Sequence, residues 1–233
     1  MSYRPTTLLT SIFACAFLLS ACATSSQRLD QDLSVWQNIY DYGEITQEDD
    51  ELLLISTGNW FLLSKQQYEN FVFEAEVKMP DTKEYSNSGI IFRAQVGKHE
   101  TRGAYAYGYQ AEVDPSERKW SGGLYEQGTR RQWLHPLHDT RSFPDEDFKV
   151  NHSPIWDDTK ANAYKHLSWN KYKIKAEGND IKIWVNDVLT THVTDTKLSK
   201  GFVGIQHHGS HGFAKNGDRS NTIRFRNIKI TSL

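Results

Sequence analysis

The chain has 233 residues, of which 38% are hydrophobic and 24% charged, a balance that excludes disordered, collagen-like and coiled-coil chains. A net charge of −2 leaves no basic excess to neutralise phosphates, which argues against nucleic acid as a partner. Aromatic residues make up 12%, with 7 Trp and 11 Tyr against 2 Met, and such flat, half-polar rings suit both a β-rich core and a site that stacks sugar rings.

The N-terminus reads as a targeting segment: Arg4 is a positive start, Leu8 to Leu19 an apolar run too short to span a bilayer as a helix, and Ser20 and Ala21 are small. Leu19-Ser20-Ala21-Cys22 resembles the bacterial lipobox, in which the signal is cut before a cysteine that is then lipidated. That resemblance implies a signal peptide at 1–21, lipidation at Cys22, a polar tether within 22–32 and a single domain at 33–233. Ala23 after the anchor, rather than Asp, implies the outer membrane, facing the periplasm or the exterior. The expected location is therefore the bacterial cell envelope, with the lipid as the only membrane contact. Cys15 leaves with the signal, so the folded domain is expected to hold no disulfide and no cysteine metal site.

Beyond the tether the pattern is that of strands. In 70–79 Phe71, Phe73, Ala75 and Val77 alternate with Val72, Glu74, Glu76 and Lys78, the period of a half-buried strand. Similar runs fall at 51–55, 89–96, 104–113, 169–177, 181–185, 202–207 and 222–231. Gly178-Asn179-Asp180 and Asn186-Asp187 predict tight hairpins, and no stretch sustains a helical pattern for three turns. The result is an all-β sandwich of two antiparallel sheets. Residues 115–165 break the rhythm, with three Trp and four Pro, and predict a long functional or mobile loop.

Four segments carry candidate chemistry. In Gly108-Tyr109-Gln110-Ala111-Glu112-Val113-Asp114 the strand period puts Gln110, Glu112 and Asp114 on one face, either a solvated surface or a groove lined with acceptors. In Asn87-Ser88-Gly89-Ile90-Ile91-Phe92-Arg93, Ile91 and Arg93 share a face, where the guanidinium would pair with a carboxylate or a ligand oxygen, or sit at the rim. Residues 122–134 bring Tyr125, Glu126, Arg130, Arg131 and Trp133 together, the stacking and charged groups that sugar sites use, though a solvated loop with an anchoring Trp fits equally. His207 and His208 at a strand end point to opposite faces and cannot chelate one metal as a pair; one of them could act in a groove. His135, His138 and His211 have no evident partner.

These segments, with Trp169-Asn170-Lys171-Tyr172, Ile183-Trp184-Val185-Asn186, Gly204-Ile205-Gln206 and Arg226-Asn227-Ile228, resemble in order and spacing the 3-keto-disaccharide hydrolase domain family. The resemblance spans nearly the whole mature chain and implies a concanavalin-like jelly-roll sandwich acting on glycosides whose glucose C3 hydroxyl is already a ketone. The sugar partner is then a 3-keto-glucoside or 3-keto-disaccharide. Much of the family carries Asp where this chain has Glu126, Glu where it has Gln127, and Val where it has His207.

A C3 ketone acidifies the C2 proton, so a base can form an enolate that expels the C1 aglycone, and water then adds back. His208 or Glu112 is the expected base, Arg93 the enolate stabiliser and Glu126 the acid, with Asn87, Gln110, Asp114, Tyr125, Arg130, Arg131 and Trp133 holding the sugar. A divalent cation held by Glu112, Asp114 and His208 could take the place of Arg93. Two other readings stand beside this one. Glu112-Val113-Asp114-Pro115-Ser116-Glu117 nominally fits the acidic strand motif of two-carboxylate glucanases, although Pro115 breaks the ladder before Glu117. A sugar-binding surface lipoprotein without catalysis is the other.

Overall fold

The computed structural model describes residues 25–101 and 103–233. Signal peptide and lipidation at Cys22 lie outside the described residues. Sixteen strands run in chain order: β1 (Ser26–Arg28), β2 (Trp36–Asn38), β3 (Glu44–Glu48), β4 (Glu51–Ile55), β5 (Trp60–Tyr68), β6 (Phe71–Lys78), β7 (Ser88–His99), β8 (Gly103–Val113), β9 (Leu124–Gln127), β10 (Gln132–His135), β11 (Phe148–Asn151), β12 (Asn170–Glu177), β13 (Asp180–Val185), β14 (Val188–Asp195), β15 (Gly201–His207) and β16 (Ile223–Ser232). Two short helices, α1 (Asp158–Ala161) and α2 (His211–Asn216), interrupt them. Among the described residues no helix is long and apolar enough to cross a membrane.

The strands form two antiparallel sheets. The first has the order β11-β14-β13-β12-β6-β16-β4-β3, with β1 also on β16, and the second β10-β9-β8-β7-β15-β5-β2. In the first sheet β6 alternates strictly between buried and half-buried residues, because one face meets the core and the other is solvated. Its outer face carries the cross-strand pairs Lys229–Glu74 and Arg226–Glu76. Phe71, Phe73, Ile174 and Phe225 of this sheet pack against Ile90, Phe92, Tyr109, Val113 and Ile205 of the second.

Both faces of the second sheet are largely covered. On its outer side Phe61, Leu63, Ile91, Ala94 and Ala106 form a separate apolar patch. That side also carries buried polar side chains, which alternation alone predicts as surface.

Three expectations are corrected. Residues 25–32 are not a free tether, because Ser26–Arg28 pairs with Lys229–Thr231 in the first sheet and Leu29 is buried, so the domain starts before residue 33. Segment 115–165 contains β9, β10 and β11, which extend both sheets; it is not one long loop. Finally, Arg93 does not share a face with Ile91. It has φ +48° in a bulge where the β7–β8 register shifts between Phe92 and Gln95, and this turns its side chain aside.

Candidate active site

The outer side of the second sheet forms a cleft of about 120 Å³. Strand β8 supplies its floor: Tyr109, Ala111 and Val113 enter the core, so the period of two turns Gln110 and Glu112 outward. Asn87, from the loop before β7, and Gln206, from β15, flank them, with Tyr125 and Gln127 of β9 and Trp133 of β10 making one wall. Tyr85, Arg118, Arg141 and His208 complete the rim.

Glu112 is 5% exposed. Asn87 Nδ2 donates to its Oε1 at 2.8 Å and Gln110 Nε2 to its Oε2 at 2.9 Å. Gln206 Nε2 in turn donates to Asn59 Oδ1 at 2.7 Å, so a belt of neutral amides surrounds the acid. Desolvation outweighs these donors and pushes the Glu112 carboxyl up to about 7. The nearest cation is Arg118, whose Nη2 lies 3.9 Å from Glu112 Oε1. The Arg118 guanidinium is anchored on Asp114 Oδ2 at 2.8 Å and lies against the Trp133 ring, 4.8 Å from its centroid. His208 sits at the rim beside Tyr85, ring centroids 5.5 Å apart, and desolvation lowers its imidazole below the ordinary value. Two buried polar atoms of the lining side chains, Gln110 Oε1 and Trp133 Nε1, have no partner within the protein.

Of the sequence-predicted residues, the cleft brings together Asn87, Gln110, Glu112, Tyr125, Trp133 and His208. Asp114 acts one step back, holding Arg118 and capping its own turn through Ser116 N at 3.0 Å. The others lie elsewhere. The buried Arg93 guanidinium donates to the backbone carbonyls of Glu69, Leu198 and Gly178, tying three turns together. Glu126 alternates away from Tyr125 and Gln127 and pairs with Arg131 Nε at 2.8 Å, while Arg131 also binds Asp145 and Asp195 between the sheets. Arg130 is exposed and lines no part of the cleft.

Glu112, Asp114 and His208 do not form a metal-ligand set either. Asp114 is engaged by Arg118, and among the described residues the one close group of three potential ligands is His152, Asp180 and His192, on the first sheet. His207 is structural: its Nε2 meets the Asn221 carbonyl at 2.9 Å, its Nδ1 accepts from Gly209 N–H at 3.0 Å, and burial lowers it to about 4.

Sequence reasoning missed Arg118, Arg141 and Tyr85. For Arg118 a signal existed, since Asp114-Pro115-Ser116 predicts a turn that would bring a residue four positions on back over the acid. Nothing local marked the other two.

A second, larger cleft of about 390 Å³ adjoins the first and shares Gln127 with it. Tyr40, Tyr42, Phe61 and Tyr105 supply its ring surfaces, and Asn59, His99 and Gln127 its polar groups. Gly97 seats one of these rings, since a Cβ there would fall 2.6 Å from the Tyr105 ring.

A two-sheet sandwich with such clefts on one sheet is the architecture of galectin-like and jelly-roll proteins. The chain belongs to the 3-keto-alpha-glucoside-1,2-lyase-like domain family, whose pattern it matches over residues 28–231. A comparison with curated proteins finds no match. Among solved structures it is similar to a Bacillus subtilis protein of unknown function with a galectin-like fold: 11% identity, 88% of this chain and 94% of the other, TM-score 0.54. It is also similar to a candidate glycosyl hydrolase of Parabacteroides distasonis, with 14% identity, 89% and 94% coverage and a TM-score of 0.53. These likenesses fix the fold, and the family places the protein in carbohydrate chemistry.

Proposed function

We propose that the protein cleaves 3-keto-glycosides by proton abstraction at C2 and β-elimination of the aglycone, followed by hydration. One observation carries this reading: a single buried carboxyl, Glu112, is pushed up to about 7 on the floor of a cleft that also holds His208, whose imidazole is lowered below its ordinary value. Environments that raise an acid and lower a base leave both in usable forms at neutral pH. Neutral His208 takes the C2 proton, and the electron pair moves into the C3 carbonyl to give an enolate facing Arg118. The C1–O bond then breaks, and protonated Glu112 gives its proton to the leaving oxygen. Water added across the resulting double bond gives the free 3-keto sugar. In this reading Gln110, Tyr125 and Trp133, which line the cleft, hold the sugar, and the adjoining tyrosine-lined cleft seats the aglycone.

The two-carboxylate glycosidase is disfavoured by the same geometry. Glu112 is the only carboxylate among the cleft-lining residues, Asp114 is held by Arg118, and Glu117 is exposed on a turn.

The test is aglycone release from a 3-keto-glucoside and from its parent glucoside. Release from the keto substrate alone is expected. Release from the parent would favour direct hydrolysis, and saturable sugar binding with no release from either would make the chain a binding module.

A further inference from the structure

A cluster far from the cleft has ligand chemistry that the proposed reaction does not use. On the outer face of the first sheet, Asp180 of β13 and Thr194 of β14 are direct cross-strand partners. His192 Nε2 lies 2.8 Å from Asp180 Oδ1, and His152 Nε2 lies 2.9 Å from Thr194 Oγ1. Both imidazole nitrogens therefore converge on the same cross-strand pair, their rings stacked with centroids 4.3 Å apart. One ligand atom from each of His152, Asp180 and His192 lies within 4.8 Å of the others. The backbone holds this arrangement: His152 N–H donates to the His192 carbonyl at 2.8 Å, and His192 N–H to Ser153 Oγ at 3.1 Å. Lys182 Nζ occupies Asp180 Oδ2 at 2.8 Å, which leaves Oδ1 directed at the histidines.

We infer that His152, Asp180 and His192 form a divalent-metal site. Two imidazoles and one carboxylate suit zinc over calcium or magnesium, which prefer all-oxygen shells, and leave a position for water or the Thr194 hydroxyl. Zinc there would join three chain segments: β13, β14 and the exit of edge strand β11. Its effect would reach the cleft wall, because Asn151 Nδ2 donates to His135 Nδ1 at 3.0 Å and His135 lies on β10 with Trp133. The site stabilises the fold and takes no part in the chemistry at Glu112.

The experiment is calorimetric titration of the EDTA-treated, dialysed chain with zinc chloride, with magnesium chloride as control, together with thermal melts. One zinc per chain and a Tm increase of roughly 5–10 °C at a hundredfold excess over Kd are expected, with no response to magnesium. His152→Ala and His192→Ala should each abolish saturable binding, whereas His211→Ala, on exposed α2, should retain it. Zinc-induced shifts of the His152 and His192 ring resonances in the wild type give the same answer should a variant fail to fold. Absence of saturable zinc binding, or binding that leaves those two rings unperturbed, overturns the proposal.

Discussion

Two buried glutamates lie on adjacent strands of the second sheet and face opposite ways. Glu112 on β8 opens to the cleft and accepts from two amides, with its nearest cation 3.9 Å away. Glu126 on β9 points between the sheets, where Arg131 Nε lies 2.8 Å away and Thr129 Oγ1 donates at 2.8 Å. Arg131 also bridges to Asp145 and Asp195, and Tyr109 donates to Asp195. Partner chemistry separates their roles. A carboxylate tied into a closed ionic network is a fixed charge that fastens strands together. A carboxyl ringed by neutral amides can change protonation state without dismantling its surroundings, which is what a proton-transfer group needs.

The harshest way to break this comparison is to remove the cation. Arg131→Met strands Glu126 and Asp195 as uncompensated buried charges, and urea unfolding should show a loss of about 3–5 kcal/mol. A loss below about 1 kcal/mol would mean the network is not the fastening described.

Glu112→Gln should do the reverse. The folded carboxyl titrates near 7 against an ordinary 4.5. Its stabilising protonated form is therefore fully present below 4.5 and lost as pH rises through about 7. Above pH 7 the wild type carries a desolvated charge, and the neutral amide should raise stability at pH 8 by roughly 1–3 kcal/mol. Turnover should fall by about 10²-fold or more. In the wild type kcat/KM should decline as pH rises through about 7, because Glu112 acts in its protonated form. A rate that instead climbs through that pH would make Glu112 the base.

Much of the fold was legible because the first sheet follows the simplest rule. Phe71 to Lys78 alternates cleanly, and Asn186-Asp187, both with positive φ, makes the hairpin its residues announce. The second sheet was less legible for a physical reason: covered on both faces, β5 and β7 read as nearly continuous buried runs, and short β9 and β10 hide among turn residues. The floor of the site followed from the period of two at Gln110 and Glu112. Arg93 and Glu126 did not, since a bulge turned the first aside and the second belonged to the opposite face of its own strand. Residue type marked both as reagents, and only long-range partners such as the Gly178 carbonyl and Arg131 reveal them as fasteners.

A finer test asks whether the amides tune Glu112 or merely surround it. Gly89 lies opposite Glu112 in the β7–β8 register, and a Cβ there would fall 2.6 Å from Gln110 Nε2. The same Cβ would fall 2.7 Å from Gln110 Cδ and Cγ, so Gly89→Ala should displace the whole Gln110 side chain and take its amide off Glu112 Oε2, with the backbone ladder left in place. Losing a donor that favours the charged form must raise the carboxyl further, above 7. If Glu112 is the acid, the alkaline limb of kcat/KM then moves to higher pH, and the variant retains more of its maximal rate at pH 8 than the wild type retains of its own. Its maximal rate should drop less than about tenfold, since the reacting groups remain in place. An alkaline limb that stays put while the maximal rate falls would assign Gln110 to holding the sugar and leave desolvation as the sole cause of the raised carboxyl.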